Sequence, residues 1–266
     1  MDLPKKTLGQ HWLEDRDTLS AICDLAQIKA NDAVLEIGPG LGSLTELLIE
    51  RSDKVTAVEL DEDLINSLKE KFKDRTNLQI VNKDIRRFNL DTLPKGYKVV
   101  ANIPYYLSSY LIRLLSESSN QPQSAVLLVQ KEVAQRLAAA PGKLSLLGVI
   151  AQTYWQVELG DIVKAAMFTP APKVDSQIVK LSRRPAPLFP EGLEKEYLKL
   201  VKAGFSQKRK TLVNNLSRSL HISKENAHSL IKPLGLKVFV RAQELSVAQW
   251  SELVLAINSP HLINKR

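Results

Sequence analysis

Three features of this 266-residue sequence predict an α/β fold with a small all-α carboxy-terminal domain. Short apolar segments alternate with amphipathic ones over the first 135 residues, the first apolar segment runs into a glycine-rich turn, and beyond residue 192 every periodic segment has helical spacing. Such alternation builds a parallel sheet with helices on both faces, because parallel neighbours need a crossover connection.

Asp17–Ile28 puts Leu19, Ile22, Cys23, Leu25 and Ala26 at helical spacing. Ala33–Ile37 is short, apolar and stops at a glycine, which predicts the first strand. Leu44–Glu50 reads as a helix, Lys54–Glu59 as the second strand and Glu62–Lys73 as the next helix. Leu78–Val81, Lys98–Ala101 and Ala125–Val129 are further strands, with a helix at Leu107–Leu115 between the last two. From Leu144 the pattern changes. Leu144–Gln152 has helical spacing, while Tyr154–Val163 and Ser176–Leu181 read as strands expected to pair antiparallel at one edge. RRPAPLFPEG (183–192), with three prolines and a glycine, reads as a linker. Leu193–Phe205, Lys210–Leu220, Lys224–Ile231 and Val247–Asn258 are helical. The expected domains are therefore 1–185 and 186–266.

Composition narrows the function classes. With 44% hydrophobic residues the chain can bury a sizeable core. Cys23 is the single cysteine, which excludes a disulfide framework and a multi-cysteine zinc site, and no metal site is expected. No apolar run is long enough for a membrane span, and the start lacks both an apolar signal core and an Arg/Ser-rich leader. A cytoplasmic protein without a membrane partner is the expectation. The net charge of +8 is uneven: residues 201–266 hold 11 Lys/Arg against three acids, and residues 1–200 are neutral. A basic helical module on a neutral body fits either a polyanion partner or a lysine-rich solvated face.

The first strand ends in Glu36-Ile-Gly38-Pro-Gly40-Leu-Gly42. Glycines at a strand-to-helix turn let the backbone approach a ligand at the helix start. The G-x-G-x-x-G fingerprint of nicotinamide-dinucleotide sites fails here, since position 43 is Ser. The spacing instead resembles the first motif of S-adenosylmethionine-dependent methyltransferases, which implies a Rossmann-like sheet of that class. Glu59 closes the second strand, where a carboxylate can take both ribose hydroxyls. Asp84 closes the third, as an acceptor for an adenine amino group or as a plain turn cap. All three strand ends point into the crevice where open α/β sheets bind ligands, so together they favour a nucleoside-containing cofactor.

The fourth strand ends in Asn102-Ile103-Pro104-Tyr105. The exocyclic amine of adenine is a poor nucleophile, its lone pair being delocalised into the ring. An Asn oxygen and the backbone carbonyl ahead of a proline can accept its two N–H bonds and aim the lone pair at a methyl donor. A sulfonium is electrophilic enough that positioning dominates over general-base catalysis. Tyr105 can stack on an extruded base, and Pro104 stiffens the loop.

These segments resemble the ribosomal RNA adenine dimethyltransferases, and most of all the small-subunit, 16S-type branch associated with kasugamycin sensitivity. LGQHWLED (8–15), EIGPGLGSLT (36–45), AVELD (57–61), NIPYYLSS (102–109), MFTPAPKVDS (167–176), FSQKRKTLVNNL (205–216) and RAQELSVAQW (241–250) carry the resemblance, in family order. It implies an enzyme that dimethylates the N6 amines of two adjacent adenosines near the 3′ end of small-subunit rRNA, with S-adenosylmethionine as cofactor. An immature 30S-type particle would be the partner, and the enzyme a monomer. Leu13, Gly38, Glu59, Asp84 and Asn102 match the family's cofactor positions. Asn102, Pro104 and Tyr105 fall in the catalytic tetrapeptide, and Phe168 matches an aromatic flanking the target adenine. His11 stands where the family has a cofactor-contacting Asn. Lys208, Arg209 and Lys210 at a helix start, with Arg218 two turns on, would grip phosphates. The competing readings are a large-subunit rRNA adenine methyltransferase of macrolide resistance, an assembly factor acting by RNA binding, a DNA adenine methyltransferase and a nicotinamide oxidoreductase; Ser43 argues against the last.

Overall fold

The computed structural model describes residues 4–5 and 8–258. Its strands are β1 (Trp12–Leu13), β2 (Ala33–Ile37), β3 (Lys54–Glu59), β4 (Leu78–Asn82), β5 (Lys98–Asn102), β6 (Ser124–Gln130), β7 (Trp155–Val163), β8 (Phe168–Thr169) and β9 (Ser176–Arg183). Its helices are α1 (Arg16–Ala26), α2 (Ser43–Arg51), α3 (Glu62–Lys71), α4 (Ser108–Glu117), α5 (Lys131–Leu137), α6 (Leu146–Tyr154), α7 (Glu194–Gly204), α8 (Leu212–Leu220), α9 (Lys224–Ile231) and α10 (Val247–Asn258).

Seven strands form one sheet in the order β4-β3-β2-β5-β6-β9-β7. β2 pairs parallel with both β3 and β5, β3 with β4, and β5 with β6; β9 runs antiparallel to β6. The near-continuous apolar runs of the central strands suit burial on both faces: every residue of Ala125–Val129 is buried, as are Val99, Val100 and Ala101. After β2 the chain steps outward to β3 and β4, then returns to the other side of β2 as β5. That reversal opens a crevice beyond the carboxyl ends of β2 and β5.

Local signals set the element boundaries. Asp15 caps α1 by accepting from Thr18 N, Asp61 caps α3 through Asp63 N, and Thr211 caps α8 through Asn214 N. Periodicity did not reveal β1 and β8, which are two residues each. They pair antiparallel with Trp12 opposite Thr169 and Leu13 opposite Phe168, a contact that joins segments far apart in sequence. The helix α5 was also unanticipated.

The chain forms two compact units. One holds the chain up to Gln135 together with Gln156–Arg183; the other holds Arg136–Trp155 together with the chain from Arg184 on. A division at 185/186 follows chain order, and the packing differs from it at α6. Leu144 and Val149 are buried with Tyr197, Leu216 and Trp250 in the core of the helical unit, and the Thr153 and Tyr197 hydroxyls lie 2.8 Å apart. An apolar helix joins the core that covers it, whichever side of a linker it comes from.

Candidate active site

A cleft open to solvent lies at the carboxyl ends of β2, β3 and β5. Its walls include His11, Leu13, Gly38, Glu59, Asp84, Asn102, Pro104 and Tyr105. Ten of the positions singled out by sequence are Asn102, Pro104, Tyr105, Phe168, His11, Leu13, Gly38, Glu59, Asp84 and Glu36, and all but Phe168 line this one cavity.

The glycine turn forms the floor. Gly38, Gly40 and Gly42 have φ of +69°, +57° and +79°, a region L side chains rarely adopt. Gly42 has a second reason to lack a side chain: a Cβ there would sit 2.7 Å from Phe72 Cε2 and 2.9 Å from Leu68 Cδ2. It therefore sets the close packing of the turn on α3.

Two carboxylates share the inner wall in different hydrogen-bonding surroundings. Glu59 is 7% exposed. Its Oε1 accepts from the Leu60 and Asp61 amides at 2.8 and 2.9 Å, and its Oε2 accepts from Gly40 N at 3.2 Å. Burial pushes its pKa up, and these amides oppose the shift. Glu36 is fully buried. Thr45 Oγ1 donates to its Oε2 at 2.6 Å, while Oε1 is buried without a partner. Desolvation pushes this carboxyl up to about 8, against the Thr45 bond. The folded protein then binds a proton that the unfolded chain releases near 4.5, so stability falls as pH rises from about 4.5 to about 8. Glu36→Gln, which mimics the protonated acid, is expected to match the parent near pH 4.5 and to exceed it above pH 8, by a few kcal/mol at most at ~1.4 kcal/mol per unit. Denaturant titrations at the two pH values check this, and an equal shift at both refutes it.

Asp84 caps the turn Ile85–Arg87 by accepting from Arg86 N at 2.9 Å. Its carboxylate is also gripped by the Arg86 guanidinium, with Nε 3.0 Å from Oδ1 and 2.8 Å from Oδ2. The Arg86 bond holds its pKa below the usual carboxylate range. Asp84 is thus both the turn cap and a charged wall of the cleft.

The amino-terminal segment is tied over the cleft by several contacts. Gln10 Nε2 donates to Asp61 Oδ2 at 2.9 Å, Asn102 Nδ2 donates to the His11 carbonyl at 3.3 Å, and β1 pairs with β8. The His11 ring stacks on Tyr105, with centroids 5.7 Å apart and planes 24° from parallel. His11 Nδ1 lies 2.6 Å from the Pro170 carbonyl. A carbonyl only accepts, so the proton is on Nδ1. The Tyr105 hydroxyl is 2.8 Å from Ser176 Oγ, and burial raises its pKa. Gln10 and Ser176 carry no signal of their own in the sequence, although they lie within residues 8–15 and 167–176; only the fold shows what they hold.

Asn102 ends β5. With Nδ2 committed to His11, its Oδ1 is the acceptor left for a ligand. Pro104 O accepts from Leu107 N at 2.9 Å, and the carbonyl ahead of the proline is that of Ile103. Phe168 departs from the expected role: it is 4% exposed and packs with Leu13 and Leu19 in the core of the first unit. Its cross-strand pairing with Leu13 accounts for the burial.

In the helical unit, Lys208, Arg209 and Lys210 form an exposed turn just before α8, and Arg218 is exposed on α8. None of the four makes an ion pair among the described residues. The buried Asn215 anchors the turn by donating to Gly204 O at 2.5 Å and Gln207 O at 3.1 Å. Lys265 and Arg266 lie outside the described residues.

The family model described as "Ribosomal RNA adenine dimethylase" matches residues 1–259. The chain is 41% identical over 255 residues to the ribosomal RNA small subunit methyltransferase A of Dehalococcoides mccartyi, covering 94% of this chain and 87% of that protein. It is 36% identical to the protein of the same name from Streptococcus thermophilus, covering 97% and 93%. Among solved structures, a dimethyladenosine transferase from Plasmodium falciparum superposes with a TM-score of 0.80 at 28% identity, covering 93% of this chain and 98% of that one. The 23S rRNA methyltransferase ErmE superposes with a TM-score of 0.76 at 28% identity, covering 93% and 100%. The glycine floor, the strand-end carboxylates and the Asn102–Tyr105 loop thus sit in a chain that matches one family along nearly its whole length: it belongs to the ribosomal RNA adenine dimethylases.

Proposed function

We propose that this protein dimethylates the N6 amines of two adjacent adenosines near the 3′ end of small-subunit rRNA, with S-adenosylmethionine as cofactor. The observation that carries the reading is the convergence of Asn102, Glu59, Asp84 and the Gly38–Gly42 turn on one cleft. The small-subunit branch is favoured over the large-subunit one by relatives at 36–41% identity that are named for the small subunit.

The cleft fits the cofactor. Glu59 Oε2 has only one long amide partner, suiting ribose hydroxyls, and Asp84 is a carboxylate suited to an adenine amine. The glycine floor admits close backbone approach, and Glu36 Oε1 and Trp12 Nε1 are buried there without partners. When bound, S-adenosylmethionine supplies a methyl group on an electrophilic sulfonium. Asn102 Oδ1 and the Ile103 carbonyl accept the two N–H bonds of the target amine and orient its lone pair, while Tyr105, held by Ser176 and His11, faces the base. The leaving proton needs no strong base, so orientation is the main contribution of these groups. Phe168 supports Leu13 from behind and flanks the adenine only if β8 shifts on RNA binding. Lys208, Arg209, Lys210 and Arg218 hold RNA phosphates, and the substrate is an immature 30S-type particle. The enzyme acts as a monomer in the cytoplasm; among the described residues no helix is long and apolar enough to cross a membrane.

The test offers the protein, with S-adenosylmethionine, three acceptors: immature small subunits, large subunits and duplex DNA. Mass spectrometry is expected to find dimethyladenosine in small subunits only. Modification confined to large subunits or to DNA overturns the reading.

A further inference from the structure

Phe239 is 69% exposed, the most exposed large apolar side chain among the described residues, and its neighbour Val238 is 53% exposed. A single exposed apolar residue is ordinary; here the surroundings are not. The turn is fixed rather than loose. Val240 is buried, its N donates to Lys237 O at 3.0 Å, and its carbonyl accepts from Leu212 N at 2.7 Å. That last bond seats the tip against the first residue of α8, two residues beyond the Lys208–Lys210 turn. Both turns therefore belong to one local surface of the helical unit.

The charge around the ring is positive. Lys237 Nζ lies 5.8 Å from the Phe239 ring centroid, and Lys232, Lys237 and Arg241 are all exposed. The nearby acid is Glu244, whose Oε2 accepts from Arg241 N at 3.2 Å. An aromatic ring held in solvent by a fixed turn, with Lys237 over it and further exposed cations on the same stretch of chain, is an arrangement that suits unpaired nucleotides, with bases stacking on the ring and phosphates meeting the cations.

We propose that Phe239 is a base-stacking platform for unpaired RNA, with Lys237 and Arg241 holding the adjoining phosphates, next to the Lys208–Lys210 turn. The proposal rests on the rRNA-substrate reading and adds a contact of a different physical kind. Stacking gives affinity that salt barely affects, whereas the lysine turn gives affinity that salt erodes.

The test measures binding to protein-free small-subunit rRNA and to immature small subunits across a salt series. Phe239→Ala is expected to weaken binding to protein-free rRNA by roughly fivefold to a hundredfold with the salt slope unchanged. Phe239→Tyr should restore it, and Lys237→Gln should flatten the slope by roughly 0.7. The side chain is exposed, so these variants should fold as the parent does. Parent-like binding by Phe239→Ala overturns the platform. So does equal rescue by Phe239→Leu, which would mean greasy contact rather than stacking. Weakening seen only on the particle assigns Phe239 to a protein surface and also overturns it. If the parent itself fails to bind rRNA, the substrate reading falls as well, which separates the two failures.

Discussion

Asn102→Ala is expected to reduce methyl transfer by at least about a hundredfold, the scale on which small misplacements and lost transition-state acceptors act. Cofactor affinity should change by less than about tenfold, the scale of one neutral hydrogen bond. The split follows from position. Asn102 closes β5, and its Nδ2 is occupied by the His11 carbonyl. Its Oδ1 is therefore the ligand-facing atom, while Glu59, Asp84 and the glycine floor stay in place. Single-turnover transfer and equilibrium cofactor binding measure the two effects. Unchanged turnover removes Asn102 from the reaction, and a loss of cofactor binding as large as the loss of turnover reassigns it to the cofactor.

Replacing Lys208, Arg209 and Lys210 together by Gln is expected to lower rRNA affinity about a hundredfold near 0.1 M salt. Each phosphate contact contributes roughly −0.7 to −0.9 to the salt slope, so the slope should flatten by about two to three. All three side chains are exposed and free of ion pairs among the described residues, so removing them strips binding without unpairing anything inside. The turn itself is held by Asn215 and by the Leu212–Val240 bond, and the variant should keep its melting temperature. An unaltered slope counts against the turn as the phosphate grip.

Much of this was legible in the sequence because it was local. The glycine turn announces itself by composition, and its φ values follow from that composition. The ends of β2, β3 and β5 carry Gly38, Glu59 and Asn102 wherever the strands stop, and a parallel sheet brings those ends to one edge. The basic turn before α8 needed only a count of charge along the chain. Phe168 was different. Its identity suits an adenine wall equally well as a core, and only its pairing with Leu13 buries it. His11 likewise has no neighbours in sequence that would suggest Tyr105 or the Pro170 carbonyl.

The sequence by itself determined the alternating α/β order, the strand-end chemistry, the Asn102–Tyr105 loop and the basic carboxy-terminal module, since each is built up from short local segments read one at a time. Only the tertiary structure decided the rest. It showed that β1 closes over the cleft by pairing with β8, that α6 belongs to the helical core, that Glu36 is buried with one oxygen unpartnered while both Glu59 oxygens accept backbone amides, and that Phe239 sits beside the lysine turn. The physical reason is range. Propensity, capping and turn chemistry act between near neighbours, whereas desolvation, strand pairing and ring stacking depend on what the folded chain brings from far away.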